Sequence, residues 1–257
     1  ADHPDYPWVG MVFAPPIIGI WYWCTDQYIV QRVLSARNET QARKGTIFAG
    51  YLKILPIFMF FIPGLIAYAL SKSGQMSYGS SDQVFPMLVR DLLPSGIRGL
   101  VAGGLLAALM SSLSSVFNSC STLFTMDIYK KLNPNVEEKK LVFVGRLATG
   151  IVVLTGILWI PLMKVVSSGG LYKYLQSVQA YIAPPIAAVF LLGIFWKRIN
   201  ASGALATLIS GFSAGMLRLF LEIKKGSLSS GFWLSVAELN FLYFAIFSFL
   251  FSVTLLI

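Results

Sequence analysis

The sequence predicts an all-α, polytopic membrane protein of about seven transmembrane helices, and three observations carry that reading. Of 257 residues, 56% are hydrophobic and only 12% are charged, where a soluble domain has roughly 45–50% apolar and about 25% charged residues. The mean hydropathy is +0.71. Apolar runs recur along the whole chain, separated by short basic clusters, and a hydrocarbon layer of roughly 30 Å takes about 20 such residues to cross as a helix. Length alone would suit one or two soluble domains; the hydropathy overrides it.

Taken in order, the first predicted span is Val9–Val30, which Pro15-Pro16 and Gly19 are expected to interrupt. The second, Gly45–Leu70, carries Lys53, and the third, Ile97–Met126, is rich in small and hydroxylated residues. Leu141–Val165 forms the fourth. The fifth, Leu171–Trp196, holds Pro184-Pro185 near its middle. Gly203–Leu221 is the sixth, and the seventh, Leu242–Ile257, runs to the last residue. That ending, and a start without Met or a signal peptide, lead to the expectation of a segment from a longer protein. Proline removes a backbone donor and bends a helix. At membrane depth such a break is tolerated where protein or a water-filled cavity satisfies the freed groups. A packing kink is the plainer alternative, but polar residues beside both proline pairs favour a cavity.

The formal net charge of +9 does not form a nucleic-acid patch, because Lys and Arg fall between apolar runs as in membrane loops. One set comprises Arg32, Arg37, Arg43, Lys44, Lys130, Lys131, Lys139, Lys140, Arg146, Lys197 and Arg198; the other comprises Lys72, Arg90, Arg98, Lys164, Lys173, Arg218, Lys224 and Lys225. The first set is richer and packed into shorter loops, so it is expected on the cytoplasmic side, and the first span then runs inward. Cys24 and Cys120, both inside apolar segments, offer neither a disulfide framework nor metal-ligand spacing. His3 reads as a loop residue. No Ser/His/Asp set, metal cluster or phosphate-binding glycine loop occurs, so enzyme chemistry has no constellation to rest on.

Four groups could serve a solute. In Trp21-Tyr22-Trp23-Cys24-Thr25-Asp26-Gln27, Tyr22 sits roughly 12 Å inside the span end at Val30, counting 1.5 Å per residue. That depth is wrong for an interfacial belt. Aromatic faces there suit stacking on a ring-shaped ligand, or core packing. Lys53 lies at a similar depth, where a charge costs several kcal/mol without a partner or water; snorkelling to the interface is the other account. Ala108, Ser111 and Ser112 fall at i, i+3 and i+4 on one face, and a carbonyl with two hydroxyls suits a hard cation. Close packing by small residues explains the same spacing. Gln176 and Gln179 share a face and could line a cavity or be solvated near the outer interface.

These residues lie in stretches that together resemble the sodium/solute symporter family, in particular its sodium/glucose cotransporter branch. The stretches are WYWCTDQYIVQR at Trp21–Arg32, GYLKILP at Gly50–Pro56, AALMSSLSSVFNSCSTLFTMDIYKKL at Ala107–Leu132 and YLQSVQAYIAPPIAAVFLLGIFWKRIN at Tyr174–Asn200. The resemblance implies a leucine-transporter-type fold of two inverted five-helix repeats. Residues 1–196 would form the second repeat and residues 197–257 two additional helices, with the first repeat missing. It implies a plasma-membrane, multi-pass symporter that couples sodium to a glucose- or galactose-class sugar. Tyr22 would be the aromatic inner gate stacking on the sugar ring, beside Trp23. Lys53 and Gln176 would hydrogen-bond sugar hydroxyls, and Gln179 would occupy a neighbouring cavity position. Ala108, Ser111 and Ser112 would bind sodium, with further ligands from the missing repeat.

There are departures from the family pattern. Gly19 stands where a bacterial galactose-transporting member carries a sugar-contacting Asn. The loop Ser71–Val84 is short and lacks the cysteines of animal glucose transporters, which leans toward a bacterial inner membrane. Ser114-Ser115 could contribute to a second sodium site. Other substrates of the family (myo-inositol, an amino acid, a carboxylate) and a non-transporting sodium-dependent sensor are the alternatives.

Overall fold

A computed structural model describes residues 3–166, 170–227 and 231–257. The side chain of Lys164, one of the cations used above for orientation, lies outside the described residues. The described residues form twelve α-helices, with two short 3-10 turns and one π-helical stretch, and no strand. Five helices are long and apolar enough to cross a membrane, or up to seven if each of two bent pairs is one span. This is the polytopic all-α protein that the hydropathy predicts.

The chain divides into two compact units, Ala1–Val30 with Leu162–Ile257, and Gln31–Pro161. The first unit holds α1 (Trp8–Cys24), α9 (Leu171–Phe195), α10 (Ala201–Ile223), the short α11 (Phe232–Glu238) and α12 (Phe241–Leu256). Helix α9 is its centre and packs against α1, α10 and α12. Small residues make this possible. Ala180, Ala183, Ala187 and Ala188 of α9, Ala14 of α1 and Ala245 of α12 are all fully buried, and small side chains let membrane helices approach closely. Two glycines mark the tightest points. A Cβ on Gly215 would stand 2.3 Å from the Tyr181 carbonyl oxygen, and one on Gly211 would stand 2.5 Å from Pro185 Cβ.

Polar side chains tie one end of this unit together. Buried Arg218, near the end of α10, donates from Nη2 to the Leu239 carbonyl at 2.9 Å and lies over the Tyr181 ring at 5.2 Å. The Tyr181 hydroxyl donates to Glu222 at 2.6 Å. Asn240 caps α12 by accepting from the Leu242 amide and donates from Nδ2 to the carbonyls of Pro4 and Asp5, both at 2.9 Å. Lys173, at the start of α9, pairs with Asp5. The starts of α1, α9 and α12 and the end of α10 therefore meet at one end, as alternating spans require. Arg218 also explains an unpredicted element: it accommodates the carbonyl freed where α11 turns by 108° into α12.

The second unit holds α3 (Glu39–Leu52), α4 (Leu55–Lys72), α5 (Val84–Leu92), α6 (Ser95–Thr122), the π-helical Leu123–Tyr129, α7 (Lys130–Leu132) and most of α8 (Glu138–Val166). Helix α2 (Gln27–Leu34) straddles the boundary of the two units. Asn38 caps α3 by accepting from the Gln41 amide at 2.9 Å, a contact that satisfies one orphan donor of a helix start. From Glu39 to Lys72 the chain forms one 34-residue span, and α6 with its continuation forms another of 38 residues, Ser95–Leu132. Their flanks are apolar and exposed, as at Phe58, Phe60 and Phe61 of α4 and at Leu105, Leu106 and Met110 of α6. Ser121 Oγ of α6 donates to the Gly145 carbonyl of α8 at 2.7 Å, and a Cβ on Gly145 would crowd that hydroxyl at 3.2 Å.

Neither proline pair breaks its helix, which corrects the expected interruptions. Pro15 and Pro16 lie inside α1, and Pro184 and Pro185 inside α9. A proline costs one backbone hydrogen bond, and neighbouring helices make that tolerable in a membrane span. Pro184 and Pro185 are fully buried, the latter against Gly211, so they serve packing rather than a cavity. The first span breaks instead at Thr25-Asp26, where α1 and α2 meet at 57°.

Candidate functional site

The break at Thr25-Asp26 is built by local hydrogen bonds. The Thr25 backbone amide and its hydroxyl both donate to the Trp21 carbonyl, at 3.1 and 2.6 Å, and a threonine hydroxyl that competes for helix carbonyls favours bends. The Asp26 carbonyl accepts the amides of Ile29 and Val30 and so starts α2. Tyr22 and Trp23 stand in the last turn of α1, their rings edge-to-face at 5.1 Å. The Tyr22 hydroxyl bonds the Tyr28 hydroxyl at 2.8 Å across the break. Gln27 Oε1 is buried there without a hydrogen-bond partner among the described residues. Aromatic faces beside a buried polar atom are suited to stacking on a C–H-rich ring.

Gln176 and Gln179 belong to the same unit and lie half-buried in the first half of α9. Gln176 Nε2 donates to the Tyr172 hydroxyl at 2.9 Å, one turn earlier, which leaves its carbonyl oxygen and second N–H for another contact. The other predicted residues lie in the second unit. Lys53 occupies the joint between α3 and α4, its amide donating to the carbonyls of Ala49 and Gly50. Ala108, Ser111 and Ser112 stand exposed on α6. The Ser111 carbonyl accepts from the hydroxyls of Ser114 and Ser115, both at 3.0 Å, and Ser115 Oγ also accepts from Arg32 Nη2 at 3.0 Å. Among the described residues no cluster of His, Cys, Asp or Glu could hold a metal. The Ser111 carbonyl and the neighbouring hydroxyls of α6 are oxygen donors of the kind a hard cation takes.

Within one unit, then, the structure brings Tyr22 and Trp23 to a helix break. Within the other it presents the serine face on a membrane-spanning helix. The sequence reading missed Tyr28 and the contact between Arg32 and Ser115, because six and 83 residues separate the bonded partners and neither spacing is a helix-face repeat.

The model of the sodium:solute symporter family matches residues 3–211, most of the chain. The chain belongs to that family. Among its relatives, the human sodium/myo-inositol cotransporter 2 is 46% identical over 231 residues, which cover 85% of this chain and 34% of the relative. The sheep sodium/glucose cotransporter 1 is 42% identical over 270 residues, covering 98% of the chain and 41% of the relative. The chain thus spans about a third to two-fifths of the length of these relatives. Membrane-spanning helices and family together make it part of a multi-pass membrane protein.

Proposed function

We propose that the chain supplies one part of a plasma-membrane, sodium-coupled sugar symporter working by alternating access. Residues 1–196 serve as its second five-helix repeat and residues 197–257 as two additional helices. The observation that carries this reading is the pairing of Tyr22 and Trp23 at a 57° break within a membrane span. A packing kink needs no aromatic pair there and no orphaned Gln27 oxygen. Tyr22 stacks on the sugar ring and Trp23 supports it. Lys53 and Gln176 donate to sugar hydroxyls, Gln179 lines the solute pathway, and Ala108, Ser111 and Ser112 hold the sodium ion. Sodium binding completes the outward-facing sugar site, both ligands favour occlusion, and release follows inward past Tyr22.

The energetics suffice. One cation moving inward gains about 2.3 kcal/mol per 100 mV of membrane potential, which sustains a concentration ratio on the order of 50 for a neutral solute. Counterflow tests the reading: the complete transporter in proteoliposomes should exchange labelled glucose or galactose in a sodium-dependent way. A channel or a sensor would give no counterflow. A second reading, myo-inositol as substrate, is favoured by the 46% identity to a sodium/myo-inositol cotransporter; competition of labelled sugar by myo-inositol separates the two. The bacterial inner membrane as location rests on the short loop Ser71–Val84 alone.

A further inference from the structure

Residues six apart on one straight α-helix do not face each other: at 100° per residue they point about 120° apart and stand roughly 9 Å apart along the axis. Yet the hydroxyls of Tyr22 and Tyr28 are 2.8 Å apart, and their rings meet edge-on at 6.4 Å. They meet because the helix turns by 57° between them. The bond therefore belongs to the bent form of this span and is lost if α1 and α2 straighten. It also ends on the Tyr22 ring, which Trp21 and Trp23 flank at 6.3 and 5.1 Å, so the bend angle and the orientation of that ring change together.

We propose that Tyr28 is a positioning residue for Tyr22: its hydroxyl latches the bend at Thr25-Asp26 and holds the Tyr22 ring in its solute-facing orientation. This rests on the reading of Tyr22 as the residue that stacks on the solute. Tyr28 touches the gate residue and not the solute, so it acts on how long the bent form lasts. Breaking the latch frees the ring and weakens retention of the solute, without removing any group that contacts it.

The test uses Tyr28→Phe and Tyr22→Phe, each of which deletes one hydroxyl and keeps the ring, in the complete transporter in proteoliposomes. A net hydrogen bond of ordinary strength corresponds to a roughly two- to tenfold effect. Tyr28→Phe should raise the sugar KM by that factor and speed sugar efflux from loaded vesicles. Tyr22→Phe should match it, and the double variant should be no worse than either single one, because both remove the same bond. Unaltered KM and efflux in Tyr28→Phe, or losses that multiply in the double variant, would overturn the latch. The bend is also read without transport, from the distance between spin labels at exposed Val12 and Leu34 with Cys24 and Cys120 replaced by serine. Tyr28→Phe should broaden or shift that distance, and an identical distribution overturns the proposal. Should the unaltered protein take up no sugar while the label distance still responds to Tyr28→Phe, the solute reading fails and the latch on the bend stands.

Discussion

In the proposed function Lys53 and Gln176 each donate to a sugar hydroxyl from a different stretch of the chain, so each is expected to weigh on solute affinity separately. A bond from a charged donor contributes about 1.5–3 kcal/mol and one between neutral groups about 0.5–1.5 kcal/mol. Lys53→Ala should therefore weaken sugar binding about tenfold or more, and Gln176→Ala about two- to tenfold, with sodium half-saturation at high sugar changing far less. Equilibrium binding of labelled sugar checks both. Replacing Ser111 and Ser112 together by alanine should act in the opposite order, raising sodium half-saturation first; normal sodium dependence in that variant would return the serine face of α6 to helix packing. The aromatic pair and the serine face were legible in the sequence, because their residue types and spacing are local. Tyr28 and the Arg32–Ser115 contact were not, because each depends on a bend or on a partner far along the chain.

At the scale of elements, α9 and α10 are held at a separation that only glycine permits. Gly215→Ala would drive a methyl group to 2.3 Å from the Tyr181 carbonyl, backbone that cannot rotate away. Overpacking of this kind costs typically 1–3 kcal/mol. Thermal unfolding in detergent should fall by several degrees for Gly215→Ala, while Gly193→Ala in α9, with open space around its Cβ, should leave it in place or raise it. Arg218 is the second such strut. Arg218→Met would strip the Leu239 carbonyl of its donor and leave Glu222 without its cation. Breaking a buried pair costs 3–5 kcal/mol, less here because Glu222 is one-third exposed and partly screened; a thermal loss larger than that of Gly215→Ala is still expected, and an unchanged melting profile would remove Arg218 from this role. The helices themselves were legible from apolar run length, to within a few residues at most ends. Their breaks were not. In α9 proline marked the wrong place, because Pro185 packs closely against Gly211; in α1 the exposed Pro15 and Pro16 are carried inside the helix. The true break at Thr25-Asp26 is set by a threonine hydroxyl and a tyrosine pair, and the elbow before α12 by an arginine on another helix.

At the scale of the whole molecule, the proposed solute and sodium residues fall in different compact units, Tyr22, Trp23, Gln176 and Gln179 in one and Lys53, Ala108, Ser111 and Ser112 in the other. Family membership follows from the chain itself, whereas the substrate and the coupling are properties of the complete transporter. Coupling is a free energy shared by two ligands and is reciprocal. The most direct measurement is the affinity of the complete transporter for sugar with and without sodium, together with its affinity for sodium with and without sugar. Symport predicts that each ligand tightens the other by the same factor, about 5- to 150-fold for a coupling of 1–3 kcal/mol. A sugar affinity indifferent to sodium would contradict it.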